Sequence, residues 1–345
     1  MKFRHAVASL SVLLGLSVSI AASARDVHVP GDFATIQGAI DASPSGSEIR
    51  VGPGRYVENL VILNKAITIK SSHGSSRTIL DGGSKSTTVW AQGTGKERVV
   101  VAGFKITNGF NSFANDPSPT PGTGGGVRVE LVRATIEDNV ITGNVGCIGA
   151  GVFSQEASIE VRRNLISGNR QDQSCGGSNG GGIYMNGSTR KDSVIADNVV
   201  EFHKIEGYGG GVGINGVRGV TISGNTIHHN LAFDYGGGIL VNGSSADIVR
   251  NVIVDNATVS PFSTTGGGVA LLAIDRWNDI SLSENLIQGN TSDSAPGAWL
   301  LAYYDKAIRA DSNWILGRGP AALVRCDAGE ARQEQCDLER RRAGN

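Results

Sequence analysis

The sequence predicts an all-β protein, a solenoid in which a parallel β-helix winds coil upon coil behind a short N-terminal capping helix. Three observations predict it. Glycine-rich triplets recur every 25 to 31 residues, starting at Gly124, Gly149, Gly180, Gly209, Gly236 and Gly266, with a degraded copy at Pro296. Each is followed by apolar residues at spacing two, as in Val127/Val129, Ile183/Met185, Val212/Ile214, Ile239/Val241 and Val269/Leu271. That is the strand period, and it buries one face of a short run. A second motif closes each copy around a fixed asparagine: Asn139, Asn164, Asn198, Asn225, Asn251, Asn285 and Asn313. An apolar residue stands two positions after each asparagine, and another stands three before all but the last, where Ala310 takes that place.

No run keeps a 3.6-residue period long enough for a helical repeat. Three short strands per repeat, divided by turns at Gly or Asn, therefore stack as coils at the inter-strand spacing of roughly 4.8 Å. Equivalent residues then lie above one another. Val and Ile form interior ladders, and a buried asparagine can bond the asparagine of the next coil. The glycines supply positive φ or close backbone approach. The composition agrees, with 49 glycines and only 18% charged residues.

The chain opens with "MKFRHAVASLSVLLGLSVSIAASA". Its basic start, apolar run and small residues at Ala22-Ser23-Ala24 read as a secretory signal over residues 1–24, with export to the periplasm or outside. The apolar run is too short and too serine-rich for a membrane span, and no later stretch replaces it. Residues 25–325 read as the β-helix with its N-terminal cap, and 326–345 as a C-terminal cap or tail. The formal net charge of −1 gives no footprint for nucleic acid.

Asp32 is placed to N-cap a short helix that presents Phe33, Ile36 and Ile40 on one face and covers the open end of the solenoid. Strands are expected at "EIRVG", "NLVIL" and "AITIKS". The insertion from Phe110 to Thr123 is expected as a surface loop. Four cysteines in an exported chain favour disulfides. Cys147 and Cys175 follow the closing asparagines Asn144 and Asn169 of adjacent coils, so stacking makes their bridge reasonable. Cys326 and Cys336 are expected to pin the C-terminal cap. No Cys-x-x-Cys, Walker loop or His-Glu-x-x-His occurs, and the "GVGING" stretch from Gly211 belongs to the repeat.

The phrases "FATIQGAIDASPSGSEIRVGPGRYVE" and "KAITIKS…RTILDG" resemble the opening of the pectin-lyase-like superfamily of right-handed β-helix proteins, pectin methylesterases included. The later glycine and Asn-x-Ile units resemble generic β-helix repeats, among them those of chlamydial polymorphic outer-membrane proteins. This resemblance implies the right-handed form and a polysaccharide partner. The aspartate motifs of pectin methylesterases are absent, so esterase activity is not expected.

What the repeat does not demand carries the functional expectation. Stacking is expected to set His203, Tyr208, His228, His229, Asp234 and Tyr235 along one edge of two adjacent coils. His and Tyr together suit abstraction of a uronate C5 proton and donation to the leaving oxygen. The resemblance implies lyase or epimerase chemistry of this kind, with a cation neutralising the uronate carboxylate. Arg190 and Lys191 are candidates for that contact, with Glu201 beside the substrate. Ca2+ could also serve, although no calcium-loop signature is present. The competing reading is a non-catalytic glycan- or surface-binding scaffold. In it His203 is a substitute ladder residue and the tyrosines form a structural stack. Arg162, Arg163, Asp247, Arg250 and Asp311 read as solvated outward charges.

Overall fold

The protein, seen here as a computed structural model, is described over residues 24–113, 122–177, 179–189, 192–260, 266–292, 297–302, 308–316 and 324–328. The export signal therefore lies outside the described residues, apart from Ala24. Three long parallel sheets carry the solenoid. Sheet I runs from Asp26–Val29 to Ile308–Asp311, sheet II from Gly54–Val57 to Trp314–Leu316, and sheet III from Leu60–Leu63 to Val324–Ala328. One coil shows the path. Ile239–Asn242 lies in sheet III, Ala246–Val249 in sheet I and Val252–Val254 in sheet II, and Ala257–Thr258 closes the turn. This is the parallel β-helix that the repeat predicts.

The register is residue for residue. In sheet III, Val127, Val152, Ile183, Val212, Ile239 and Val269 stand above one another. Ile136 belongs to the equivalent ladder in sheet I and Ile141 to that in sheet II, which continue through Ile248 and Ile253. All of these are buried in one continuous core. Burying a Val or Ile side chain is worth about 1.5–3 kcal/mol, so each coil adds its own increment and the core grows along one axis.

Between sheets I and II the chain turns with its backbone buried, and the asparagines meet the resulting need. Asn225 accepts from Asn198 through both backbone N (3.0 Å) and Nδ2 (2.9 Å). Its own Nδ2 donates to Ile195 O and to Asn251 Oδ1, both at 2.9 Å. The side-chain links run unbroken from Asn139 to Asn313 at 2.9–3.1 Å. The residue before each asparagine takes a left-handed conformation, from Asp138 (φ 56°) to Ser312 (φ 52°).

The glycine triplets divide their work by position. The first glycine often carries positive φ, as at Gly236 (φ 62°). The third allows coils to touch: a Cβ at Gly238 would lie 2.6 Å from Gly268 O.

The N-terminal cap is a helix, Ile36–Ala42, with Ile36, Ala39 and Ile40 buried against the first coil. Its N-cap is Thr35, not Asp32. The Thr35 side chain accepts from Gly38 N, while the Asp32 carboxylate accepts instead from His28 N. The Glu58 carboxylate takes the first free helix N–H groups, of Ile36 and Gln37, at 3.0 and 2.9 Å. Gln37 also pairs through its amide with Val61 N and O, so a side chain occupies part of the outermost edge of sheet III. Strands at Ser47–Val51, Leu60–Leu63 and Ile67–Ser71 match the three expected runs.

Cys147 and Cys175 form a disulfide, both residues buried, with Cα atoms 5.6 Å apart. Cys326 lies in the strand Val324–Ala328, but its side chain and all of Cys336 fall outside what is described. Phe110–Asn111 of the insertion pairs with Val145–Gly146.

Replacing Asn225 with leucine should destabilise the protein by about 3 kcal/mol or more. It removes one amide and orphans several buried groups at once. The fall in urea midpoint should exceed that for the exposed neighbour Gly224→Asn, which keeps the left-handed turn. Equal, small shifts for the two variants would remove the ladder from its structural role.

Candidate functional site

The six residues expected on one edge separate into three environments. His203 does not reach the surface. It is 1% exposed and occupies the second asparagine column, between Asn169 and Asn230. Its ring reproduces most of an asparagine's bonding. Nδ1 accepts from Asn169 N at 3.2 Å, and Nε2 faces Ile166 O at 3.1 Å, where an asparagine Nδ2 would donate. Burial pushes its pKa down to about 4, although the carbonyls of Asn169 and Ile166 favour the proton. A neutral imidazole with Nε2–H satisfies both contacts. This placement matches the substitute-ladder reading of His203.

His228 and His229 stand on the outer corner after sheet II. Register places His228 directly beside Glu201, and Nε2 lies 3.0 Å from the Glu201 carboxylate. Its Nδ1 meets His229 Nδ1 at 2.8 Å. His229 occupies a left-handed corner position (φ 54°), as does Phe202 (φ 57°) one coil earlier. The exposed Phe202 ring packs on both imidazoles, at 5.8 and 5.2 Å. Only one proton fits between two facing Nδ1 atoms. With a neutral His228 that donates from Nε2 to Glu201, His228 Nδ1 accepts from His229 Nδ1, and His229, exposed at the corner, keeps its Nε2 lone pair.

Tyr208, Asp234 and Tyr235 form the third group, on the loops that lead into the glycine triplets, where Asp234 N donates to Gly207 O at 3.1 Å. The two tyrosine rings stack at 5.2 Å and 10°, and Tyr235 stacks on Trp299 at 5.3 Å. Ala270 makes this reach feasible: it lies between Leu240 and Trp299 in register, and its small side chain leaves the space over which Trp299 leans. Tyr208 is 38% exposed at the end of the stack. Partial burial, then the charges of Asp234 and Tyr235, raise its pKa, so the hydroxyl keeps its proton. Among the described residues no ring contact joins this stack to the histidines.

On the outer face of sheet III, Asn186, Asn215 and Asn242 form a further, half-buried amide ladder, linked at 3.0 and 2.9 Å. Gln155 adjoins Asn186 in register.

Arg190 and Lys191, the expected carboxylate contacts, lie outside the described residues. Among the described charges in these loops and corners, Arg170 and Lys204 are outnumbered by Asp172, Glu201, Glu206, Asp234 and Asp255, an acidic balance. No group of three or more His, Cys, Asp or Glu among the described residues could hold a metal ion. No described helix is long and apolar enough to cross a membrane.

Sequence reasoning missed Trp299, and also a pocket at the far corner of the coil. The pocket's signal was visible: "IDRWND" lengthens the turn between Ala273 and Ile280 beyond that of neighbouring coils.

A fold of stacked parallel coils with asparagine corners defines the right-handed β-helix class. The family described as right handed beta helix region matches residues 125–315, more than half the chain, and the chain belongs to it. A cell surface glycoprotein of Methanothermus fervidus is 30% identical over 114 residues, covering 32% of this chain and 18% of that protein. The chain thus spans under a fifth of that relative. Among solved structures, an alginate lyase from Paenibacillus sp. FPU-7 is 15% identical with a TM-score of 0.46, covering 88% of this chain and 99% of the lyase. Escherichia coli YbhC is 12% identical with a TM-score of 0.34, covering 94% and 88%. At such identities and scores these two say nothing of activity.

The buried histidine makes a pH prediction. Unfolded, His203 protonates near 6.5; folded, it resists until about 4. Its contribution is therefore complete above pH 6.5 and falls away as pH drops to about 4, by on the order of 3 kcal/mol. His203→Asn should flatten this part of the stability–pH curve and restore the Asn169 side-chain link. An unchanged acid limb in the variant would show that His203 is not the titrating group.

Proposed function

We propose that this is an extracellular or cell-surface β-helix that binds polysaccharide, with the Tyr208–Tyr235 edge as its contact surface. The observation that carries the reading is the aromatic stack that ends in a half-exposed tyrosine. A flat ring stacked on Tyr235, which is itself stacked on Trp299, suits the C–H groups of a sugar ring at little entropic cost. The amide ladder of Asn186, Asn215 and Asn242 supplies donors and acceptors suited to sugar hydroxyls. The buried disulfide supports an oxidising compartment, and the relative named as a cell surface glycoprotein supports a surface location. The acidic balance of this edge favours a neutral glycan over a polyanion.

The second reading is lyase or epimerase chemistry on an acidic polysaccharide, and the Glu201–His228–His229 chain favours it. Glu201 orients His228, His228 fixes the tautomer of His229, and His229 Nε2 is the base that reaches solvent. The protonated Tyr208 hydroxyl would be the matching acid. What this reading needs and the described edge lacks is a cation-rich site for the uronate carboxylate.

A panel of neutral and acidic polysaccharides separates the two. Binding should favour neutral chains, should change little between 50 and 300 mM salt (about the range over which charge contacts are screened), and should fall about tenfold or more in Tyr208→Ala. His229→Ala should bind like the parent. Release of unsaturated uronates from alginate or pectate, abolished in His229→Ala and in Glu201→Gln, would overturn this reading in favour of the enzyme.

A further inference from the structure

The corner between sheets III and I carries a pocket of about 430 Å³, lined by Arg218, Val220, Thr221, Ser245, Asp247, Trp277 and Asp279 among others. This volume lies within the range that ligand sites occupy, about 300–1,000 Å³. The pocket is on a different edge of the coil from the tyrosine stack. Its floor is the start of the sheet I strands Val220–Ser223 and Ala246–Val249, paired in register so that Thr221 adjoins Asp247. Its wall is the lengthened turn that carries Trp277.

We propose that this pocket is a separate binding site for a neutral pyranose ring. Trp277 is 36% exposed, and its indole is held by the Arg218 guanidinium, 5.2 Å from the ring centroid. The turn behind it is fixed. Ser245 Oγ donates to Trp277 O at 3.2 Å and accepts from Asp279 N at 3.1 Å, and Asn278 Oδ1 accepts from Asp275 N at 2.8 Å. The indole is therefore a preorganised platform for the C–H face of a sugar.

The polar groups suit hydroxyls. Asp247 has one oxygen engaged by Ser281 Oγ at 2.7 Å, which leaves its second oxygen as an acceptor. Asp279 pairs with Arg309 through Oδ1 and keeps Oδ2. The Arg218 N–H groups and the Thr221 hydroxyl supply donors. Asp279 is neutralised by Arg309, which stands outside the pocket lining, and Asp247 is offset by Arg218 within it, so the pocket is close to charge balance. A charged ligand would upset that balance, and a neutral polyol would not. Aromatic platform, carboxylate acceptors and guanidinium donors around a charge-balanced hollow are the chemistry of an uncharged sugar.

Saturation-transfer NMR of the full chain with methyl α- and β-hexosides tests this. Methyl glucuronide and glucosamine serve as charged comparators. The expected result is transfer from at least one neutral hexoside at millimolar affinity, reduced more than tenfold in Trp277→Ala and in Asp247→Asn, with Trp277→Phe intermediate. All of these are measured in the Tyr208→Ala background, which removes the polysaccharide edge, so the transfer that remains reports this pocket alone. Matched unfolding midpoints identify variants that remain folded, and Asp247→Asn, an exposed and isosteric change, secures the test where Trp277→Ala does not. Transfer from no neutral hexoside, stronger binding of a charged comparator, or full retention in Asp247→Asn would overturn the proposal.

Discussion

From Asn139 to Asn285 each described coil buries a turn, and a buried turn needs partners for its backbone polar groups. Strand pairing satisfies the straight segments but not the corners. The asparagine column supplies what is missing: each amide accepts from the backbone and side chain below and donates to a carbonyl and the next amide. Much else follows from this. The left-handed residue before each asparagine, the contact-distance glycines and the residue-for-residue register are conditions for the column to stay in line. A coil that slipped by one residue would turn its Val and Ile ladders outward and leave the amides unpaired.

This constraint explains how much could be read from the chain. A periodic requirement leaves a periodic trace, so the coils, the interior ladders of Ile222 or Ile227 and the Cys147–Cys175 bridge were all legible. Position-specific competition was harder. Asp32 and Thr35 are both good caps, and the choice depended on where His28 N lay. His203 looked like chemistry because histidine is rare and titratable, yet its ring spacing also imitates the two ends of an amide. Trp299 was hidden for another reason: its reach to Tyr235 depends on the small Ala270 one coil away, a contact that no single repeat displays.

The functional surface is then a matter of departures from the repeat. Gly168 and Gly289 occupy corner positions where Phe202, His229 and Asp255 stand in the coils between. Placing large or charged residues in a left-handed conformation costs of order a kcal/mol each, and the column evidently supports it. At the opposite corner the lengthened turn with Trp277 departs in the same way. On the proposed binding reading, the rod acts as a rail that carries separate contact points. On this account sugar contacts are distributed along the coils, with the tyrosine edge and the tryptophan pocket on different faces.

The most direct test is backbone and indole chemical-shift mapping during titration with a neutral oligosaccharide. Perturbed signals should gather at Tyr208, Tyr235 and the outer amides of Asn186, Asn215 and Asn242, with a separate response at the Trp277 indole, while Asn225 and the interior ladder stay unmoved. Perturbations centred instead on Glu201, His228 and His229, with none at Tyr208, would contradict the binding reading.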